Sequence, residues 1–276
     1  IEVNPGAKGN VKIKCPFCSP YKNNANDTCL SVNVSEGVWF CHKCNETGGL
    51  STSNKATHDA KHFESRSNGV SVNKNKKTPL KALSEAAIKF MSNRGISEDT
   101  LIKEGIKIAS KWIAQLQKEQ NCIAFPFIKG NMRVATKYRD NKKNMTQDAG
   151  GEKCFYRFDE FAKGDTIYIT EGEIDALTLI ECGLSDGVTS VPDGAPAPGA
   201  KEDGSKFNFF TDEAKKIFDN AKKDYLITDD DENGHNLEGI LARRIGKGKC
   251  LRVDYPTGCK DINDVLLKFG KESVLG

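Results

Sequence analysis

At 276 residues, 37% of them hydrophobic, the chain is long enough for two or three small domains, and its apolar content is ordinary for a soluble protein. No apolar run approaches the roughly 18 residues that a membrane-spanning helix needs, which excludes that class and a membrane partner. The net charge of +3 is unevenly spread: residues 1–80 carry 11 Lys/Arg against 6 Asp/Glu, residues 81–165 carry 16 against 11, and residues 166–276 carry 14 against 21. Two basic thirds ahead of an acidic one describe either a solvated surface or a polyanion-binding front end joined to a metal-binding back end.

The chain opens on Ile1 without a signal-peptide pattern, as a piece or a processed product of a longer protein would. Ten cysteines suit a disulfide scaffold only in a small secreted chain, so a reducing, intracellular setting is expected. Four of them have metal spacing. Cys15-Pro16-Phe17-Cys18 and Cys41-His42-Lys43-Cys44 are two C-x-x-C knuckles with 22 residues between them. Zn²⁺ takes four tetrahedral thiolate or imidazole ligands, and each knuckle offers two from one tight turn. A single structural zinc on Cys15, Cys18, Cys41 and Cys44 is expected, with Cys29 and His42 as spare ligands. Leu30, Val32, Val34, Val38 and Phe40 alternate with polar residues, as strands of a small ribbon over residues 1–50 do. Trp39, Phe40 and His42, beside Lys12, Lys14, Lys22 and Lys43, offer stacking faces and cations to single-stranded DNA. The competing reading is that Trp39 and Phe40 simply pack on the ribbon.

Residues 51–79 are rich in Ser, Asn, Lys, Thr and His and nearly devoid of apolar residues, the composition of a tether. His58 and His62 fall within it with no further ligand nearby. Order resumes near Leu80, opening a segment that runs to residue 165. A short helix is expected over 84–91, ended by Asn93-Arg94-Gly95, and a second one capped by Ser97 over 97–103. Residues 122–128 and 132–138 read as strands joined by Lys129-Gly130-Asn131, a hairpin signal. Arg157 is a further basic candidate.

From Thr166 the pattern alternates. Strands are expected over 166–170, 187–191, 224–228 and 249–254, with helices over 173–182, 211–222, 236–245 and 262–269. Such alternation indicates an α/β fold over 166–276, a mainly parallel sheet covered on both faces. Thr170-Glu171-Gly172-Glu173-Ile174-Asp175 follows one strand, and Thr228-Asp229-Asp230-Asp231-Glu232-Asn233-Gly234 follows another. Ligand and metal sites collect at the carboxyl ends of such strands, and crowded carboxylates repel unless a cation neutralises them; Mg²⁺ prefers carboxylate oxygen. This predicts a magnesium-dependent phosphoryl-transfer site. Glu173 and Asp175 also open a helix, where their charge complements the dipole. Asp229-x-Asp231-x-Asn233-Gly234 matches the first half of an EF-hand loop, but Ile240 occupies the twelfth position and a strand precedes it, which rejects that reading. The loop between Pro192 and Lys206 belongs at the same rim.

Glu171-Gly172-Glu173 on one strand end and Asp229-x-Asp231-x-x-Gly234 on another resemble the TOPRIM domain of DnaG-type primases, topoisomerases and related nucleases. Cys259-Lys260-Asp261-Ile262-Asn263-Asp264 resembles the Lys-Asp-x-Asn segment that closes this domain in phage primase–helicases and their mitochondrial-helicase relatives. The segment from Ala124-Phe125-Pro126-Phe127 to Lys137-Tyr138-Arg139-Asp140 resembles the N-terminal subdomain of the phage primase polymerase core, and a zinc ribbon heads primases in the same position. The resemblance implies a small α+β subdomain over 80–165 between the ribbon and the TOPRIM domain. It implies a DNA primase, making short RNA primers on single-stranded DNA from nucleoside triphosphates, with an RNA/DNA hybrid as product. Glu171 is then an acid/base group or a metal-bridging ligand, Asp229 and Asp231 hold one or two Mg²⁺ or Mn²⁺, and Asp261 is a further ligand. Lys137, Arg139, Lys142 and Lys143 contact triphosphate and template, joined by Lys260, while the ribbon with Trp39 and His42 reads the template. The same resemblance points to a replicative helicase, fused or separate, and a replicative DNA polymerase as partners, a monomeric state for this chain, and the cytoplasm of a bacterial host for a phage-encoded protein. The chain has no G-x-x-x-x-G-K-[ST], so it is not itself a P-loop helicase. Two rival readings are a TOPRIM nuclease, in which water replaces the attacking 3′-hydroxyl, and a non-catalytic zinc-ribbon DNA-binding module.

Overall fold

In the computed structural model of the chain, residues 9–15, 28–35, 38–41, 47–49, 77–199 and 205–276 are described. The chain divides into two units, residues 1–69 and 70–276. In the first, β1 (Asn10–Ile13), β2 (Leu30–Asn33), β3 (Val38–Cys41) and β4 (Thr47–Gly49) form an antiparallel sheet in that order. The expected alternation turns Leu30 and Val32 inward, where they are buried with Cys15, Cys29 and Cys41. Trp39 packs against this cluster with Val11, Ile13 and Val34. Cys18, His42, Cys44 and most of the expected tether, with His58 and His62, lie outside the described residues.

The second unit begins with two capped helices. Ser84 Oγ accepts from the Ala87 N–H at the start of α1 (Glu85–Ser92), and Ser97 Oγ accepts from the Thr100 N–H at the start of α2 (Glu98–Lys103). Each cap satisfies a backbone donor that the first helical turn leaves open. An antiparallel sheet follows, in the order β5 (Lys107–Ile113), β6 (Lys118–Lys129), β7 (Met132–Arg139), β8 (Met145–Gln147). The hairpin around Gly130 is as expected, but β6 starts four residues earlier than its apolar run, and β5 and β8 carry no apolar alternation that marks them. Pro126 sits inside β6 beside a register shift at Phe127/Ile128, the irregularity that lets a strand tolerate proline.

After α3 (Phe158–Phe161) the chain alternates through β9 (Thr166–Thr170), α4 (Glu173–Glu181), β10 (Val188–Ser190), α5 (Asp212–Asn220), β11 (Lys223–Ile227), α6 (Glu232–Ile245), β12 (Cys250–Arg252), α7 (Ile262–Phe269) and α8 (Lys271–Leu275). The four strands form one parallel sheet in the order β10-β9-β11-β12. The order reverses direction after β10, so right-handed crossovers put α4 on one face and α5 and α6 on the other. A core of phenylalanines ties the layers together, with Phe155 within 6 Å of Phe161, Phe209, Phe210 and Phe218. The largest departure from expectation is α6, which begins at Glu232 and not at Asn236. Asp231 is its cap: the side chain accepts from the Gly234 N–H, so the helix starts directly behind the aspartate run.

Candidate active site

The reversal of strand order opens a crevice between the carboxyl ends of β9 and β11, the position where doubly wound sheets bind ligands. Thr170 and Ile227 are paired across these strands, so Glu171 and Asp229 emerge side by side. A cavity of about 460 Å³ lies there. Six acidic residues line it: Glu171, Glu173 and Asp175 from the first turn of α4, Asp193, Asp229, and Asp261, whose side chain also caps α7 by accepting from the Asp264 N–H at 2.7 Å. Asp230 N–H donates to Lys260 O at 2.7 Å, which fixes the end of β11 against the approach to α7. Gly234 has to be glycine, because a Cβ there would meet Asp229 O at 2.0 Å. The Asp-x-Asp-x-x-Gly spacing is therefore a packing requirement: α6 folds back onto the backbone of its own first aspartate.

The electrostatics follow from burial and crowding. Burial raises the Glu171 carboxyl above its ordinary value and Asp231 adds to this, while the Ala195 and Asp229 N–H groups and the Lys206 charge work against it. Asp229 is pushed up to about 7 by burial and then by Glu171, Asp261 and Asp231, with Lys260 opposing. Asp175 is raised well above its ordinary value by burial and by the charges of Asp229, Asp261 and Glu171, with Arg94 opposing. Groups this perturbed in a cleft mark functional sites more often than structural ones. Glu171 Oε1 accepts from the Ala195 N–H at 3.3 Å, whereas Oε2 is buried and has no hydrogen-bond partner. Among the described residues no group of three His, Cys, Asp or Glu is already set to hold an ion. The donor set still fits Mg²⁺, which is usually held by one or two carboxylates together with substrate phosphates. An orphaned, buried carboxylate oxygen among further acids leaves a cation as the fitting partner.

Basic residues line the same cavity: Arg94, Lys137, Arg139, Lys143 and Lys260. Lys137 is not free there: its Nζ is 2.9 Å from Glu173 Oε1, and both side chains are buried. Arg139 is 6% exposed, and its Nη1 has no partner. Asp140 takes the N–H groups of Lys142 and Asn144, a turn that brings Lys143 to the cavity and leaves Lys142 outside its lining. Asp231 is exposed, with one carboxylate oxygen, Oδ1, engaged in the α6 cap. Arg157 is remote and structural, buried against Glu104 at 2.6 Å and the carbonyls of Ser185 and Val188. Trp39, Cys15 and Cys41 belong to the other unit, where Cys29 Sγ lies 3.7 Å from Cys41 Sγ. Two crevice residues escaped the sequence reading. Asp175 reads equally well as first-turn helix charge, and Arg94 reads as the end of α1.

Residues 168–266 match the Toprim-like family. The chain is 31% identical over 284 residues to a primase homolog protein of Arabidopsis thaliana, covering 95% of this chain and 79% of that protein. The chain belongs to the TOPRIM primase family. It is 30% identical to the chloroplastic/mitochondrial Twinkle homolog protein of the same plant, and 30% identical over 190 residues to the DNA helicase/primase of Enterobacteria phage T3. It spans only 38% and 30% of those two proteins. Its fold is that of the primase fragment of the bacteriophage T7 primase-helicase protein, with a TM-score of 0.53 at 24% identity over 90% of this chain and 92% of that one. It is also that of the Aquifex aeolicus primase zinc-binding and RNA polymerase domains, with a TM-score of 0.52 at 13% identity over 98% of this chain and 78% of that one.

Proposed function

We propose that the crevice carries out template-directed nucleotidyl transfer: the chain is a DNA primase, the primase portion of a phage-type primase–helicase, making short oligoribonucleotides on single-stranded DNA. The observation that carries this is that one crevice is lined both by carboxylates from strand and helix starts, Glu171, Asp175, Asp229 and Asp261 among them, and by Arg94, Arg139 and Lys143. Acids alone suit any divalent-cation site. Cations in the same crevice suit a ligand that brings its own metal-bound phosphates.

In this reading Glu171, Asp229, Asp231 and Asp261, with Asp175 added by the fold, hold one or two Mg²⁺ or Mn²⁺. The metal, when bound, neutralises charge on the attacking oxygen and on the phosphates. Glu171, held by the Ala195 N–H, is oriented at the base of the crevice and takes up the proton of the primer 3′-hydroxyl as its oxygen bonds to the α-phosphorus and pyrophosphate departs. Arg94, Arg139 and Lys143 orient the triphosphate. Lys137 acts through Glu173, fixing the first turn of α4 and with it Asp175. Residues 1–50, 80–165 and 166–276 serve as zinc ribbon, N-terminal subdomain and TOPRIM domain. One structural zinc in the ribbon fits its buried sulfurs, since two thiolates on a tetrahedral ion with bonds near 2.3 Å stand about 3.8 Å apart and the Cys29 and Cys41 sulfurs stand at 3.7 Å. Cys29 therefore joins Cys15, Cys18, Cys41 and Cys44 as a ligand candidate. The ribbon, with Trp39 and His42, would read the template; Lys142 and Lys260 would border its path.

A replicative helicase and a replicative DNA polymerase are the partners this reading asks for, and the phage relative supports a bacterial-host cytoplasm. The plant relative is named chloroplastic/mitochondrial. Among the described residues no helix is long and apolar enough to cross a membrane. The test is synthesis on randomised single-stranded DNA with labelled rNTPs or dNTPs and Mg²⁺ or Mn²⁺. Short labelled oligonucleotides that vanish in Glu171→Gln and Asp229→Asn support the proposal. Metal-dependent cleavage of template without synthesis makes it a nuclease, and DNA binding with neither activity makes it a binding module.

A further inference from the structure

Arg94 closes one side of the crevice, yet little in its own segment holds it there. It sits in the turn after α1, with its guanidinium over the Phe90 ring at 5.5 Å, and Arg139 lies over the same ring at 5.3 Å. Two cations on one ring repel each other, and Arg94 adds to burial in depressing the Arg139 pKa. Something else has to fix Arg94, and the contacts supply it. Asn263 Nδ2 donates to Arg94 O at 2.8 Å and to Thr178 Oγ1 at 2.9 Å, and Asn263 Oδ1 accepts from Arg94 Nη1 at 3.4 Å. Asn263 is 2% exposed, so its amide is spent on these partners alone. Gly95 gives independent support: its φ is +73°, and a Cβ would come within 3.0 Å of Leu266 Cδ2, so the turn is pressed onto α7. The first turn of α7 thus holds Arg94 two residues after its cap, Asp261, enters the crevice.

We infer that Asn263 is the positioning residue for Arg94, so that α7 sets a carboxylate and a cation in register on opposite sides of one phosphate group. The shared ligand chemistry is a phosphate, carried either by an incoming nucleoside triphosphate or by the template backbone. The inference rests on the nucleotidyl-transfer reading above for its ligand. Its geometry does not depend on that reading.

The test uses the full chain in four forms besides wild type: Asn263→Ala, Arg94→Gln, the double variant, and Thr178→Val. Thr178→Val removes the other anchor of Asn263 while leaving its contacts to Arg94. Steady-state synthesis gives KM and kcat for rNTP, calorimetry gives affinity for Mg²⁺–nucleoside triphosphate, anisotropy gives affinity for a labelled single-stranded oligonucleotide, and melting reports folding. Asn263→Ala is expected to weaken one phosphate ligand roughly tenfold, as loss of one charged hydrogen bond does, with kcat within about threefold of wild type. Arg94→Gln is expected to match it, and the double variant to be no worse than either single one. Movement of the rNTP arm identifies the triphosphate, and movement of the oligonucleotide arm identifies the template. Thr178→Val is expected to lower the melting temperature without moving either arm. The inference is overturned if Asn263→Ala changes only the melting temperature, or if its effect multiplies with that of Arg94→Gln. If wild type synthesises nothing but the binding arms behave as stated, the primase reading falls and the positioning role stands; synthesis without the Asn263–Arg94 coupling is the converse.

Discussion

The two ends of the parallel sheet treat buried acids in opposite ways. At the amino end of β11, Asp224 is fully buried with Lys249 Nζ 3.2 Å away. The same ammonium donates to Phe218 O and to Ala221 O. At the carboxyl end, no Lys, Arg or His nitrogen among the described residues stands within 4.0 Å of Glu171, Asp175, Asp229 or Asp261. One end has a counter-charge built into the chain, and the other has none at that range among the described residues. Burial raises the Asp224 carboxyl too, but there an ammonium opposes the shift, whereas at the second end the neighbouring carboxylates add to it.

The sharpest break in this comparison is removal of an unpaired acid. Glu171→Gln or Asp229→Asn is expected to lower oligonucleotide synthesis about 10³-fold, the scale of losing a positioned electrostatic group, while the metal-free protein melts higher because repulsion is relieved. A simultaneous fall in activity and rise in melting temperature separates a functional acid from a structural one. The paired end should do the reverse. Lys249→Met strands the Asp224 carboxylate and is expected to cost about 3 kcal/mol in chemical denaturation, with most of it recovered when Asp224→Leu is added.

The acidic end of this contrast was legible in the sequence, for a physical reason, while the Asp224–Lys249 pair was not. Parallel strands buried on both faces are short apolar runs, so an acid directly after one, as at Glu171 and Asp229, stands out against its neighbours. The residues that stayed hidden take their roles from distant partners. Arg94 is held by Asn263, 169 positions away, and no local pattern announces that. Asp175 sits where a helix dipole alone explains an acid. Lys137 reads as a nucleotide contact because its segment resembles the primase polymerase core, but Glu173, 36 positions on, pairs with its ammonium. The four-residue error at the start of α6 has the same origin, since an aspartate suited to metal is equally suited to capping a helix.

Protonation offers a milder test of the crevice. Asp229 titrates near 7 in the folded chain, above its ordinary carboxylate value, so the folded state binds the proton more tightly than the unfolded state does. Its contribution to stability is therefore fully present at low pH and is lost as pH rises from about 4 toward 7. Mg²⁺ held by Asp229 would have to displace that proton, so its stabilising effect is expected to be larger at pH 8 than at pH 5. Melting curves with and without Mg²⁺ across this range decide the point; equal Mg²⁺ shifts at both values leave Asp229 outside the cation site.

Helix α4 carries both behaviours within its own length, which gives the finest version of the comparison. Its first turn holds Asp175, raised by burial and by its acidic neighbours. Its last residue is Glu181, where burial also works against the charge but is outweighed by Lys271, Thr100 and both donors of Ser97, which hold the carboxyl down to about 2. The depressed value means that this contribution is present above about 4.5 and is lost as pH falls through about 2, opposite in sign to Asp229. Glu181→Gln keeps the shape and removes the charge from the 2.8 Å pair with Lys271 and the 2.7 Å bond from Ser97 Oγ. At neutral pH it is expected to cost about 1 kcal/mol, because the Lys271 side of the pair is open to solvent, and to leave synthesis unchanged. A loss of activity with Glu181→Gln would mean that the clasp between α2, α4 and α8 is transmitted along α4 to Asp175, and the two ends of the helix would then have to be treated as one device.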